Sequence, residues 1–410
     1  MGLRRIFTHV RAVTGSLLTF RTSALTATLL LALAVVFLAI HAKRSLTAQI
    51  NEGHRADTVK AAAPLGPLDA LPGMPRIPNR DDIYTADRPG ELSPAVRNYP
   101  PRIYVPNSRS NSVTVIDPVT YTVIDQFRVG AHPQHVTPSY DLKTLWVLSD
   151  EGNSLTRLDP ATGKPAGTLK VSDPYNMYYT PDGKYAIVVA ERLRRLNFLD
   201  TAGMTLHYSL QVPCKGVDHM DFSADGRYLI ASCEFGMAVI KVDIQQERFV
   251  GRLMVNPHGM PQDVKLSPDG AVFYVADMKA GGVHMIDGDK LDEIGFIPTG
   301  KGAHGLYVSR DSRVLYVSNR GEGSVSLIAF DTRKVIDKWK LPGKASPDMG
   351  GVSADGKVLW LAGRYNSEVY AIDTRNGSLL ARIPVGHEPH GLCVYPQPGR
   401  YSLGHTGVFR

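Results

Sequence analysis

Four histidines and two aspartates recur about once per repeat between residues 135 and 390: His135, His219, Asp263, His304, Asp348 and His390, with Asn176 completing a set of seven. Imidazole nitrogens and carboxylate oxygens are the donors expected around borderline divalent ions such as Zn or Cu, so these six are candidate metal ligands. Three more histidines, His132, His258 and His387, fall just before these positions and can orient them by hydrogen bonding. The plain alternative is that the positions are polar because they face water, although hydration alone does not select His and Asp over other polar residues.

A second group follows the same rhythm: Asn107, Asp150, Glu191, Cys233, Glu234, Asp277, Arg320 and Arg364. Here Arg320 and Arg364 are candidate contacts for an anionic or zwitterionic small ligand or cofactor. Cys214 and Cys233 approach one face and read either as a disulfide or as thiolates near a metal. With Cys393, a buried small hydrophobe, the cysteines number three, so no disulfide framework holds the fold.

The elements that must position these residues are visible as a repeat. Segments open at Ile103, Leu145, Ala186, Leu229, Phe273, Leu315 and Leu359, at spacings of 42, 41, 43, 44, 42 and 44. That period fits four-stranded propeller blades and exceeds those of leucine-rich or ankyrin repeats. Within each unit an alternating segment such as Val113–Asp117 follows, and turns read TPDG at 180–183, SADG at 223–226, SPDG at 267–270 and SADG at 353–356. Pro at the second position and Gly at the fourth suit type I turns between antiparallel strands. The expectation is an all-β, seven-bladed β-propeller over residues 102–410 with four antiparallel strands per blade. The first unit lacks a leading strand and the chain ends with a spare one at His390–Pro396, so a three-plus-one closure is predicted.

The segments YVSN (316–319), VIDP (115–118) and PHG (389–391) resemble those of the YVTN-repeat, YncE-like propellers, and the resemblance covers residues 103 to about 396. It implies likeness in fold to the haem-binding propeller of cytochrome-type nitrite reductases. It does not imply an activity, because propellers host enzymes, ligand binders and scaffolds alike.

Ahead of the repeats, Ala24–Ile40 is an uncharged apolar run preceded by Arg4, Arg5, Arg11 and Arg21. Residues 1–44 therefore read as a cytoplasmic basic segment with a signal anchor, its transmembrane helix at 24–40, the remainder being extracytoplasmic; secretion after signal cleavage is the alternative. Arg4 and Arg5 also resemble a twin-arginine export signal, against the simpler reading of a positive flank. Residues 45–101, rich in proline, read as a tether. Six of the seven net positive charges lie in the first 44 residues, leaving +1 elsewhere, so charge gives no reason to expect nucleic-acid binding. A monomer is expected, with a small ligand or an envelope protein at the channel mouth.

No CxxCH motif occurs, which excludes a covalent c-type haem, and neither GxSxG nor a phosphate-cradling glycine loop is present. Three functions remain: a metal- or ligand-binding propeller, a metal-dependent hydrolase, lyase or lactonase with an Asp such as Asp263 as base, and an envelope interaction scaffold.

Overall fold

The computed structural model describes residues 70–255, 258–405 and 407–410. The expected span at 24–40 lies outside these residues. Among them, no helix is long and apolar enough to cross a membrane.

The described residues form 28 strands, β1 to β28 in chain order, in seven four-stranded antiparallel sheets. Inner strands are wholly buried, as in β12 (Val217–Phe222) and β16 (Pro261–Leu266), while an outer strand such as β7 (Lys164–Lys170) is exposed throughout. Four other blades have β4 (Pro133–Pro138), β8 (Asn176–Tyr179), β20 (Ala303–Val308) and β24 (Pro347–Val352) as inner strands, and the seventh has β28 (Cys393–Tyr395). Turn chemistry links inner to second strands as expected. At 223–226 the Ser223 hydroxyl donates to Asp225 at 2.6 Å and accepts from Tyr228 N at 3.2 Å, while Gly226 takes φ +74°.

Closure is three-plus-one. β28 (Cys393–Tyr395) pairs with β1 (Arg102–Asn107), which continues to β2 (Ser112–Asp117) and β3 (Thr122–Arg128). The seam is packed by Ile103, Val105 and Ile116 of the first blade against Trp360, Val369 and Ile383 of the last, so apolar burial backs the strand pairing.

Two terminal segments depart from expectation. Of the tether expected over 45–101, the described part from residue 70 lies against the propeller instead of extending away from it. Leu71, Ile83, Tyr84 and Val96 are buried, Leu71 N donates to Asp225 O, and Tyr84 Oη donates to Leu266 O at 2.7 Å. These apolar side chains cover the turn-bearing end of the blades, a burial that a free linker would forgo.

The C-terminal segment after β28 turns into the central channel. Tyr179 N donates to Leu403 O and His405 N to Met177 O, so residues 403–405 add to the inner edge of β8. A small gap beside His405 is lined by Gly350, Gly351 and Cys393 among others. Arg410 anchors the segment, its Nη2 3.0 Å from Asp221 Oδ1 with both side chains buried.

Candidate functional site

The inner strands carry a bulge where they leave the ladder. Between the Val217–Cys233 and Met220–Ala231 pairs, Asp218 and His219 together oppose Ser232; between Ala303–Asn319 and Leu306–Val317, His304 and Gly305 oppose Ser318. Gln262–Asp263 and Asp348–Met349 repeat the arrangement. A serine on the second strand takes up a stranded amide: His219 N donates to Ser232 Oγ at 3.1 Å and Gly305 N to Ser318 Oγ at 2.8 Å. Two neighbouring residues per blade are thereby aimed at the channel at different depths.

The expected single ring is therefore two tiers. His304, Asp348 and His390, with Gln134, Tyr175, Asp218 and Gln262, occupy the first bulge position; five of these seven, Asp218 and Asp348 excepted, line the open pocket. His135, Asn176, His219 and Asp263 occupy the second, deeper position. Ligand-capable atoms cluster accordingly: His304, Asp348 and His390 form one group and His135, His219 and His405 another, with the atoms of each group within 4.8 Å of one another. Asp263 stands outside both groups, because Oδ1 accepts from Val264 N at 2.9 Å and Oδ2 from Leu306 N at 2.9 Å.

His405 lies beyond the repeats and completes the deeper group. Ring centroids lie 5.4 Å apart for His135 and His219, 5.0 Å for His135 and His405, and 4.6 Å for His219 and His405. His390 joins from the upper tier, 4.8 Å from His135. Burial holds all five imidazoles well below the usual histidine range; neighbouring imidazoles reinforce this for every one of them, the Arg320 and Arg364 guanidiniums for His304 and His390, and Arg364 for His135 as well.

The residues present fit a metal ion. Both nitrogens of His135, Nδ1 of His390 and Oδ2 of Asp348 are buried and make no hydrogen bond, whereas Nε2 of His219 faces Asp218 Oδ1 at 3.1 Å. Leaving such groups unpaired costs about 1–3 kcal/mol each. In the upper group Asp348 Oδ1 faces His304 Nδ1 at 3.3 Å and Arg320 Nη1 at 3.1 Å, and Met349 Sδ lies 3.0 Å from His304 Nδ1.

Above this group opens a cavity of about 270 Å³, lined on one side by Arg320, Arg364 and Tyr365 and on the other by Glu191, Glu234, Phe235 and Tyr175. The charge split expected of the second group is realised by four of its eight residues. Burial pushes the Glu191 carboxyl up to about 8, with Glu234 and Asp173 adding, and raises Glu234 as well. The other four serve the scaffold. Asn107 Nδ2 donates to Thr114 at 2.9 Å, Asp150 pairs with His132 at 2.8 Å, Asp277 faces His284 at 3.2 Å, and Cys233 is disulfide-bonded to Cys214. Cys393 is a buried free thiol. Two of the three loop histidines are engaged elsewhere, His132 with Asp150 and His387 with Ser367 at 3.3 Å, and His258 lines a cleft that shares Glu234 and Phe235 with this cavity.

A family model described as a YncE-like β-propeller matches residues 94–399. No curated protein matches the chain. Among solved structures, the chain is similar to Kuenenia stuttgartiensis hydrazine synthase, with 20% identity and TM-score 0.59 over 69% of this chain and 98% of that one. It is similar also to dihydro-heme d1 dehydrogenase NirN in complex with DHE, with 16% identity, TM-score 0.56, and 79% and 83% covered. A putative 6-phosphogluconolactonase from Bacteroides uniformis gives 17% identity, TM-score 0.58, and 72% and 99% covered. At these identities the likeness is one of fold, in keeping with the resemblance to haem-binding propellers.

Proposed function

The chain belongs to the YncE-like β-propeller family, and on that scaffold we propose a metal-dependent hydrolase, lyase or lactonase that acts on a small anionic substrate at the channel mouth. The observation that carries this reading is the cavity in which two guanidiniums face a protonatable carboxyl pair above a His–Asp–His group. His304, Asp348 and His390 would hold the ion. A bound divalent ion, Zn or Cu, supplies Lewis-acid polarisation of a carbonyl or phosphoryl oxygen. Arg320 and Arg364 hold the substrate's anionic group, with Arg320 kept in place by Asp348 and by the Tyr365 ring 5.3 Å away. Glu191, carrying its proton at neutral pH, donates it to the leaving oxygen, and Glu234 beside it takes one up.

The Cys214–Cys233 disulfide supports an oxidising compartment, consistent with residues 1–44 anchoring an exported propeller with the N-terminus in the cytoplasm. The domain division proposed is anchor at 1–44, connecting segment at 45–101 and propeller at 102–410.

Full-length protein purified in detergent should contain stoichiometric metal and cleave members of a panel of lactones and carboxylate or phosphate esters, with loss of turnover on chelation. Arg320→Met and Arg364→Met should each raise KM by 10-fold or more. Metal-free protein with no turnover on the panel after Zn or Cu addition overturns the reading and leaves an envelope scaffold. The donor set favours a second reading, metal handling: five imidazoles and the Met349 thioether exceed what one catalytic ion needs. Stoichiometric metal without turnover would favour it.

A further inference from the structure

We propose that His135, His219 and His405 form a second, closed metal site inside the channel, in which a bound divalent ion latches the C-terminal segment to the propeller. This rests on different residues from the mouth site and does not need the proposed activity.

Three independent parts of the chain converge here. His135 comes from β4, His219 from β12, and His405 from the segment paired along β8. Gly404 lets that segment approach: at φ +92°, an added Cβ would stand 2.4 Å from Met177 O. The Asn176 amide bonds Nδ1 of His219 at 3.1 Å and Nδ1 of His405 at 3.0 Å, so one side chain positions both rings. Asp263 Oδ1 lies 3.7 Å from His405 Nε2, a carboxylate in the shell outside the imidazoles that offsets the charge of an ion.

The strongest sign of a ligand is the His135 imidazole, fully buried with neither nitrogen in a hydrogen bond, while the neighbouring His219 has Nε2 3.1 Å from Asp218 Oδ1. Buried polar atoms are rarely left so in a native interior, and an ion bound through one nitrogen of His135 would satisfy that ring. Three imidazoles suit Zn, Cu or Ni; their ligand atoms lie within 4.8 Å of one another, and tetrahedral zinc at about 2.0–2.1 Å would draw them closer with a water as fourth ligand. Unlike the upper group, none of the three lines the mouth cavity, so no substrate reaches them there.

Co(II) titration of full-length, chelator-stripped protein tests this. Two equivalents are expected, with tetrahedral visible bands contributed by the deeper one. His405→Gln should lose one equivalent and those bands, while His390→Ala should lose only the other. An unchanged equivalent count in His405→Gln overturns the proposal. Loss of the His390-dependent equivalent from wild type would instead sink the mouth site. A second readout is trypsin cleavage at exposed Arg400: zinc should slow it at least 10-fold in wild type and His390→Ala, and leave it unaltered in His405→Gln and His135→Gln. Equal zinc protection in all four, or none in wild type, also rejects the latch.

Discussion

Gly391 rests on the His135 imidazole so closely that an added Cβ would stand 1.9 Å from Nδ1. The backbone bonds Val136 N to Gly391 O and Gly391 N to Gln134 O hold the two segments at that distance. The deeper tier thus has a glycine where another blade has a side chain, and the missing atoms are the room His135 uses. Gly391→Ala should force His135 out of place at a cost of about 1–3 kcal/mol, the usual scale for overpacking a filled interior. Chemical unfolding reads the cost, and metal titration of the same variant should show weaker binding at the deeper group.

Arg410 and Asp221 form an ion pair out of contact with solvent, and Asp221 Oδ2 also accepts from Leu266 N at 2.8 Å. Arg410→Met leaves a buried carboxylate without its counter-charge. The expected loss is about 3–5 kcal/mol, measured by urea unfolding. Asp221→Asn with Arg410→Met should recover part of it.

Asp87 is buried under the propeller, and burial raises its carboxyl from 3.8 to about 7, with Arg310 and Arg410 working against the rise. The folded chain holds this proton up to about pH 7, whereas the unfolded chain releases it near 3.8. Between those values the native state binds more protons, so its stability falls as pH rises and stays lower above 7. The swing should be about 2–4 kcal/mol at 1.36 kcal/mol per unit. Asp87→Asn should flatten it and unfold at higher urea than wild type at pH 8.

Glu191 is held protonated to about pH 8. As general acid its protonated form is the active one, so kcat/KM should decline as pH climbs through about 8. Glu191→Gln should lower kcat about 10²–10⁴-fold and abolish that alkaline limb, read from pH–rate profiles.

The blades were legible because their signals are local. A period of 41–44 residues, alternation and Ser-x-Asp-Gly turns each act within one unit. Depth in the channel was legible too, by a count that alignment on residue type conceals. From His135, Asn176, His219 and Asp263 the turn residues Ser139, Thr180, Ser223 and Ser267 lie four positions on, but from His304 and Asp348 the turns at Ser309 and Ser353 lie five on. One residue of offset across a bulge is one tier. His405 had no such signal, because it follows the final repeat and is brought in by pairing with a strand more than 200 positions earlier. Asp263 shows the converse: its type suits a ligand, yet bulge amides occupy both oxygens.

The pairing of Arg102 with Tyr395 joins the two ends of the repeat array in one sheet. The ring of blades can therefore be completed only after nearly the whole chain has been made, since β1 keeps an open edge until β28 arrives. Closure then waits on the last strand, and nascent chains interrupted before residue 393 would keep an unpaired strand exposed to aggregation. A single late clasp also means that the native ring has one weakest place to start coming apart.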